Sequence, residues 1–133
     1  MPMKPLRVVI SVCLVALIAF SGCWSSRGSR AHGMLVQATA DISALGAALG
    51  AFKVDNGRYP TSAEGLAVLS TDPSGLPKWK GPYIERPVGN DPWGNPYVYV
   101  CPGKHNPDSY DLHSFGPDGK DGTADDITNW DKR

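Results

Sequence analysis

The sequence predicts an α+β fold in which one long N-terminal amphipathic helix packs on a small antiparallel sheet. Two observations lead to this prediction. Apolar residues recur with helical spacing over residues 31–55, and ten of the 12 prolines and ten of the 15 glycines lie between residues 57 and 133. Because proline and glycine favour turns, the second half is expected to consist of short elements. A chain of 133 residues is long enough for one small domain and excludes a large doubly wound or barrel enzyme.

The N-terminus has the pattern of a targeting segment. Lys4 and Arg7 precede an apolar run of 13 residues, positions 8–20, which is too short to span a bilayer comfortably. The run ends in small residues before Cys23 and resembles a lipoprotein signal, in which the cysteine becomes the acylated first residue.

We therefore predict a signal segment over residues 1–22, a lipidated Cys23 that begins a polar tether over residues 23–30, and a folded domain over residues 31–133. An ordinary cleaved signal and a short uncleaved anchor are the alternatives. All three interpretations place the domain outside the cytoplasm, and two of them attach it to a membrane through its N-terminus.

The long helix is predicted over residues 31–55 and would bury one apolar stripe. A coiled-coil seam is the alternative, but the pattern covers only three heptads and these contain Gly46 and Gly50, which favours packing on the domain's own sheet. Tyr59 and Trp93 are expected to bury their rings against the same helix. The stripe consists of Leu35, Ala38, Ile42, Leu45, Leu49 and Phe52.

A second, shorter helix is predicted after Thr61. Thr61 and Glu64 have the spacing of a capping box and precede an apolar group, which indicates a helix of two or three turns that ends before Asp72.

Two antiparallel strands are predicted from alternating patterns in residues 97–100 and 110–114. The proline-rich segment 72–88 is predicted to be a loop, with Trp79 and Tyr83 as its anchors on the core.

Acidic residues concentrate in a glycine-rich loop near the C-terminus. Asp118, Asp121, Asp125 and Asp126 place four carboxylates within nine residues. A hard cation would relieve their repulsion, and Ca²⁺ takes about six to eight oxygen ligands from carboxylates and backbone carbonyls. A solvated acidic turn is the alternative.

The remaining polar residues give weaker signals. Cys101, His105 and His113 could be imagined as zinc ligands, but a fourth partner is missing, and Cys101 is better explained as a small apolar residue at a strand end. Asp125 and Asp126 could act as an acid and base pair, but the side chains of neighbours in the chain diverge in direction.

The sequence contains no phosphate loop or nucleophile elbow, and we expect no enzymatic activity. Because the formal net charge is zero, we also expect no nucleic-acid partner.

Six sequence blocks are specific enough to compare with known families. They are DNGRYPT at 55–61, EGL at 64–66, GPYI at 81–84, DPWGNPY at 91–97, SFGPDG at 114–119, and DDI at 125–127 followed by Asn129-Trp130. Together these blocks resemble the C-terminal domain of one family, the major pseudopilins of type II secretion (general secretion pathway protein G). The resemblance implies a pilin-like fold with a calcium-stabilised C-terminal loop. It implies calcium ligands at the side chains of Asp118, Asp125 and Asp126 and at the carbonyl oxygen of Phe115.

The N-terminus departs from the pattern of that family. The prepilin Gly-Phe site and its following Glu are missing, and residues 23–30 would separate the apolar run from the long helix. The leading hypothesis is therefore a non-enzymatic pseudopilin-like interaction protein, tethered to the membrane, whose partners are secretion-system or envelope proteins. The alternatives are a genuine major pseudopilin that builds a secretion pseudopilus and a lipoprotein binding module on a pilin scaffold. Self-assembly stays open at this point.

Overall fold

A computed structural model describes residues 25–72 and 75–131 of the chain. The predicted signal segment and Cys23 lie outside these residues, so both stay predictions. The element order is helix α1 (Ser25–Asn56), a 3₁₀ helix (Leu66–Leu69), and strands β1 (Val98–Val100), β2 (Asp111–Ser114) and β3 (Ile127–Thr128).

Helix α1 is 32 residues long and begins before the predicted boundary. The prediction of a polar tether over residues 23–30 is wrong for residues 25–30, because these residues are helical. Serine and arginine tolerate a helix, Gly28 costs only about 1 kcal/mol relative to alanine, and no proline interrupts the segment. The helix ends at Asn56 and is followed by Gly57, which has φ 77 and whose N–H donates to the carbonyl of Lys53 at 2.8 Å.

Most of the predicted stripe on α1 forms the core. The exception is Leu35, which is 40% exposed and lines a cavity with residues of the C-terminal loop and of β3. By length and composition the segment Gly28–Asn56 is apolar enough to cross a membrane, but the core helix of a soluble domain passes the same test. The residues of α1 buried in the core are Ala38, Ile42, Leu45, Ala48, Leu49 and Phe52.

The sheet has three antiparallel strands in the order β1-β2-β3, so one strand was missed by the prediction. Val98 of β1 pairs with His113 of β2, and Ser114 of β2 pairs with Ile127 of β3. All four residues of the central strand β2 are buried, and α1 packs on β2 and β3.

The predicted second helix is reduced to one 3₁₀ turn. The capping box itself forms, since the main-chain N–H of Thr61 donates to Glu64 Oε2 (2.7 Å) and that of Glu64 donates to Thr61 Oγ1 (3.2 Å). Gly65, at φ 61 and ψ −163, then interrupts the helical path, so that only Leu66–Leu69 continues it.

The long loop is fixed by the predicted anchors. The indole N–H of Trp79 donates to the Val68 carbonyl (2.9 Å), and the Tyr83 hydroxyl donates to Asp55 Oδ2 (2.9 Å). Tyr59 also packs on the core as predicted, whereas Trp93 is only half-buried and, within residues 25–72 and 75–131, does not belong to this cluster.

Candidate metal centre

The acidic loop connects β2 to β3 and covers residues 115–126. It begins at a buried anchor, where the Ser114 hydroxyl donates to Asp91 Oδ2 at 2.6 Å and accepts the N–H of Gly116 at 3.1 Å. Asp91 also accepts the N–H groups of Trp93 (3.0 Å) and Asn95 (2.8 Å). The DPWGNPY block therefore holds the start of the acidic loop.

Gly116 brings the two ends of this loop into contact. It has φ 67, and a Cβ atom at this position would collide with the carbonyl oxygen of Asp125. A glycine is therefore required both for the backbone conformation and for the close approach of the two chain segments.

Each of the three predicted carboxylate ligands accepts hydrogen bonds from the loop. Asp125 Oδ2 accepts the N–H of Asp118 (3.1 Å), and Asp118 Oδ1 accepts that of Lys120 (2.8 Å). Asp126 Oδ2 accepts the N–H of Gly122 at 2.8 Å. These bonds fold the loop without any regular secondary structure.

Thr123 connects the two adjacent aspartates. Its hydroxyl lies 2.7 Å from Asp125 Oδ1 and 3.2 Å from Asp126 Oδ1. The hydrogen bond from Thr123, with that from the Asp118 main chain, holds the pKa of the Asp125 carboxyl below its usual value. Asp125 is therefore ionised at neutral pH, as a calcium ligand must be.

The chemistry of the donor set fits calcium. Asp118, Asp125 and Asp126 are hard oxygen donors on a glycine-rich backbone, and the contact between Gly116 and Asp125 keeps the loop closed. Phe115, whose carbonyl oxygen the family resemblance adds to the set, lies at the start of the same loop and is half-buried. Among the described residues, however, Asp118, Asp125 and Asp126 do not form a group with one oxygen each within 4.8 Å of one another. The loop would have to close further around an ion, which would supply positive charge between these carboxylates.

Asp121, the fourth acidic residue of the loop, points elsewhere. Its Oδ1 lies 3.0 Å from Nε2 of the buried His113. Among the described residues, one group of three metal-ligating side chains has one donor atom each within 4.8 Å of the others, and it consists of His113, Asp121 and Asp126. Sequence reasoning missed this group because it depends on the loop folding back on β2.

Among the described residues, Cys101, His105 and His113 do not come together as a group of metal ligands, so the alternative zinc set is not formed. His105 Nδ1 lies 3.1 Å from Asp111 Oδ2, and the imidazole stacks on Trp130 at 4.1 Å. Burial opposes the ionisation of Asp111, but main-chain N–H bonds from residues 104–106 and the contact with His105 outweigh it and lower its pKa. Cys101 directly follows β1 and its Sγ lies 3.5 Å from the Ser109 carbonyl, which agrees with its prediction as a strand-end residue.

Comparisons with known proteins identify the family. The sequence model described as "Type II secretion system (T2SS), protein G" matches residues 27–130. The chain is 41% identical over 130 residues to the type II secretion system core protein G of Escherichia coli K12, covering 94% of this chain and 87% of that protein. It is 47% identical over 102 residues to the core protein G of Pseudomonas aeruginosa, covering 71% of this chain and 69% of the relative.

A solved structure shares the fold. The crystal structure of the major pseudopilin from the type 2 secretion system of enterohaemorrhagic Escherichia coli superposes with a TM-score of 0.62 at 36% identity, covering 78% of this chain and 92% of that one. The resemblance noted in the six sequence blocks is thereby confirmed, as is the pilin-like fold. Taken with the matches in sequence, the shared fold shows that this chain belongs to the type II secretion system protein G family.

Proposed function

We propose that this chain is a major pseudopilin, the subunit of a type II secretion pseudopilus, and that it works by assembly and protein contact without catalysis. The observation that carries the proposal is the match to the Escherichia coli core protein G, which covers 94% of this chain and so includes most of the N-terminal apolar run. This favours a true pseudopilin over our leading sequence hypothesis of a tethered accessory protein.

The course of α1 supports the same proposal. The sequence predicts that residues 23–30 separate the apolar run from the amphipathic helix, but the helix already includes Ser25. At most residues 21–24 lie between the apolar run and α1. A rod that joins an apolar half to an amphipathic half would hold subunits together and place the globular domain outside the cytoplasm.

Lipidation of Cys23 is the competing proposal for the N-terminus, because cleavage before Cys23 would remove the apolar run. The two proposals differ in two measurable ways. A pseudopilin should form filaments that electron microscopy detects on cells overexpressing the chain with its secretion genes. A lipoprotein should instead incorporate labelled palmitate, and Cys23→Ser should abolish that label.

The filament experiment has a matched pair of variants in the apolar run. Leu17→Asp places a charge in the segment and should abolish filaments, whereas Leu17→Ile keeps it apolar and should preserve them. Palmitate incorporation at Cys23 together with an absence of filaments would refute the pseudopilin proposal.

Calcium is the cofactor that we propose for the loop. The proposed ligands are the carboxylates of Asp118, Asp125 and Asp126 and the carbonyl oxygen of Phe115. The support is the oxygen-only donor set on a closed loop, together with membership of a family whose C-terminal loop resembles this one. The proposed partners are further copies of this chain and other secretion-system proteins, at an extracytoplasmic membrane face.

A further inference from the structure

His113 lies next to the acidic loop, and its position there was not predicted from the sequence. It lies in the central strand β2, is only 7% exposed, and directs Nε2 at Asp121. Among the residues that the structure describes, its other nitrogen, Nδ1, is buried without a hydrogen-bond partner. An imidazole in this position is costly unless one of its nitrogens has a strong partner.

Two carboxylates lie close to the imidazole of His113. One oxygen each of Asp121 and Asp126 and one nitrogen of His113 lie within 4.8 Å of one another. Ligands at about 2.0–2.1 Å from a tetrahedral zinc ion lie about 3.4 Å from each other. His113 Nε2 and Asp121 Oδ1 are already 3.0 Å apart, so shifts of about 1.5 Å or less would let the three atoms coordinate one ion.

The surroundings allow such an ion to enter and the ligands to adjust. All three side chains line an open cavity of about 450 Å³. The Asp121 side chain is 72% exposed and is followed by Gly122, which has open space beside its Cα. Asp121 can therefore close on an ion held by the more rigid His113.

The donor types select the metal. One imidazole nitrogen and two carboxylates match Zn²⁺, which binds nitrogen and oxygen ligands in tetrahedral geometry and completes its shell with water. Calcium prefers oxygen ligands alone and a larger number of them. We propose that His113, Asp121 and Asp126 form a binding site for a zinc-class divalent cation, separate from the proposed calcium site except for the shared Asp126.

Zinc binding at this site does not depend on pseudopilus assembly. The test uses the full chain in detergent, purified without a histidine tag and freed of metal. Isothermal titration with ZnCl₂ measures the dissociation constant, and Co²⁺ absorption in the visible range reports the coordination. Loss of one ligand should weaken zinc binding by about tenfold or more, so we expect this for both His113→Gln and Asp121→Asn. Asp126 is left unchanged because both proposed sites use it.

Two features keep the experiment decisive. Asp121 is exposed, so Asp121→Asn tests the site even if the buried His113→Gln variant fails to fold. His105→Gln is the matched control, since His105 also faces an aspartate but lies outside the three-ligand group, and it should leave the dissociation constant unchanged. Equal zinc affinity in the unmodified chain and Asp121→Asn would overturn the proposal, as would an equal loss in His105→Gln.

Discussion

At the scale of single residues, Glu64 combines two roles that the sequence suggested only in part. It caps Thr61, and its two oxygens lie 2.7 and 2.8 Å from the guanidinium nitrogens of Arg58. The hydrogen bonds from Arg58 lower the pKa of Glu64 from 4.5 to about 2. The charged carboxylate is thus stabilised in the folded state.

This shift predicts how acid affects stability. Because the folded pKa lies below the unfolded one, the contribution is complete above about pH 4.5 and is lost as the pH falls towards 2. Glu64→Gln retains the cap oxygen but loses the charge, and should lower the free energy of unfolding at pH 7 by about 1 kcal/mol or less. Urea unfolding at pH 7 and near pH 2 checks this. The difference in free energy of unfolding between the variant and the unmodified chain should vanish near pH 2. A difference that is the same at both pH values would contradict it.

Two glycines of the acidic loop give a matched comparison. Gly122 has φ 80, and a Cβ atom added there would meet nothing within 4 Å, whereas Gly116 has φ 67 and faces the Asp125 backbone. Gly122→Ala should cost about 1–2 kcal/mol from the backbone alone. Gly116→Ala should cost at least about 1 kcal/mol more, because the collision adds to the backbone strain. Chemical denaturation of both variants measures this, and equal losses would show that the contact with Asp125 does not matter.

At the scale of elements, the helix prediction was sound where periodicity is strong. Ile42, Leu45 and Phe52 could be placed because a buried stripe repeats along the sequence. The start of α1 could not be placed, since its first turns carry polar residues that give no periodic signal. The helix nevertheless extends back to Ser25 in spite of that composition.

The shorter elements were harder for definite physical reasons. Strand β3 has only two residues and is held by pairing with β2, which no local pattern reveals. The helix predicted after Thr61 is interrupted at Gly65, where the backbone has a positive φ that a helix cannot accommodate. In the site, composition indicated the acidic loop, but the approach of Asp121 to His113 requires the tertiary fold.

The buried and exposed faces of α1 should respond differently to truncation. Leu49 is completely buried and Val54 is 83% exposed. Leu49→Ala should lower the free energy of unfolding by about 2–5 kcal/mol, because it leaves a cavity in the core. Val54→Ala, the control on the same helix, should change it by no more than about 0.5 kcal/mol. A large loss at Val54 would show that a partner, such as a second copy, covers that face.

At the scale of the whole molecule, stability depends on how the C-terminal loop is held. Cys101 is the one cysteine among the described residues, and it is free, so no disulfide holds the loop there. The loop instead combines the Asp91 anchor, the Gly116 contact and hydrogen bonds to its own carboxylates. A bound calcium ion would reverse the charge repulsion among those carboxylates and tie the loop to β2 and β3.

Calcium should therefore raise the melting temperature of the full chain. Extracellular modules bind calcium with dissociation constants of about 0.1–1 mM, and a hundredfold excess of ligand adds about 2.7 kcal/mol to stability. In hydrogen exchange, chelation should expose residues 114–130 first while α1 stays protected, since the helix is held by the core and the loop has little regular structure.

Variants of the loop separate calcium binding from general effects of charge. Asp125→Ala should abolish the rise in melting temperature with calcium, because it removes a proposed ligand. Asp121→Ala removes the same charge three residues after Asp118, but its carboxylate faces His113, so most of the calcium response should remain. If metal-free protein melted at the same temperature with calcium and with chelator, the calcium site would be refuted and the acidic loop would be a solvated turn. An equal loss of response in both variants would instead show that only the total charge of the loop matters, and that the assignment of Asp125 as a ligand is wrong.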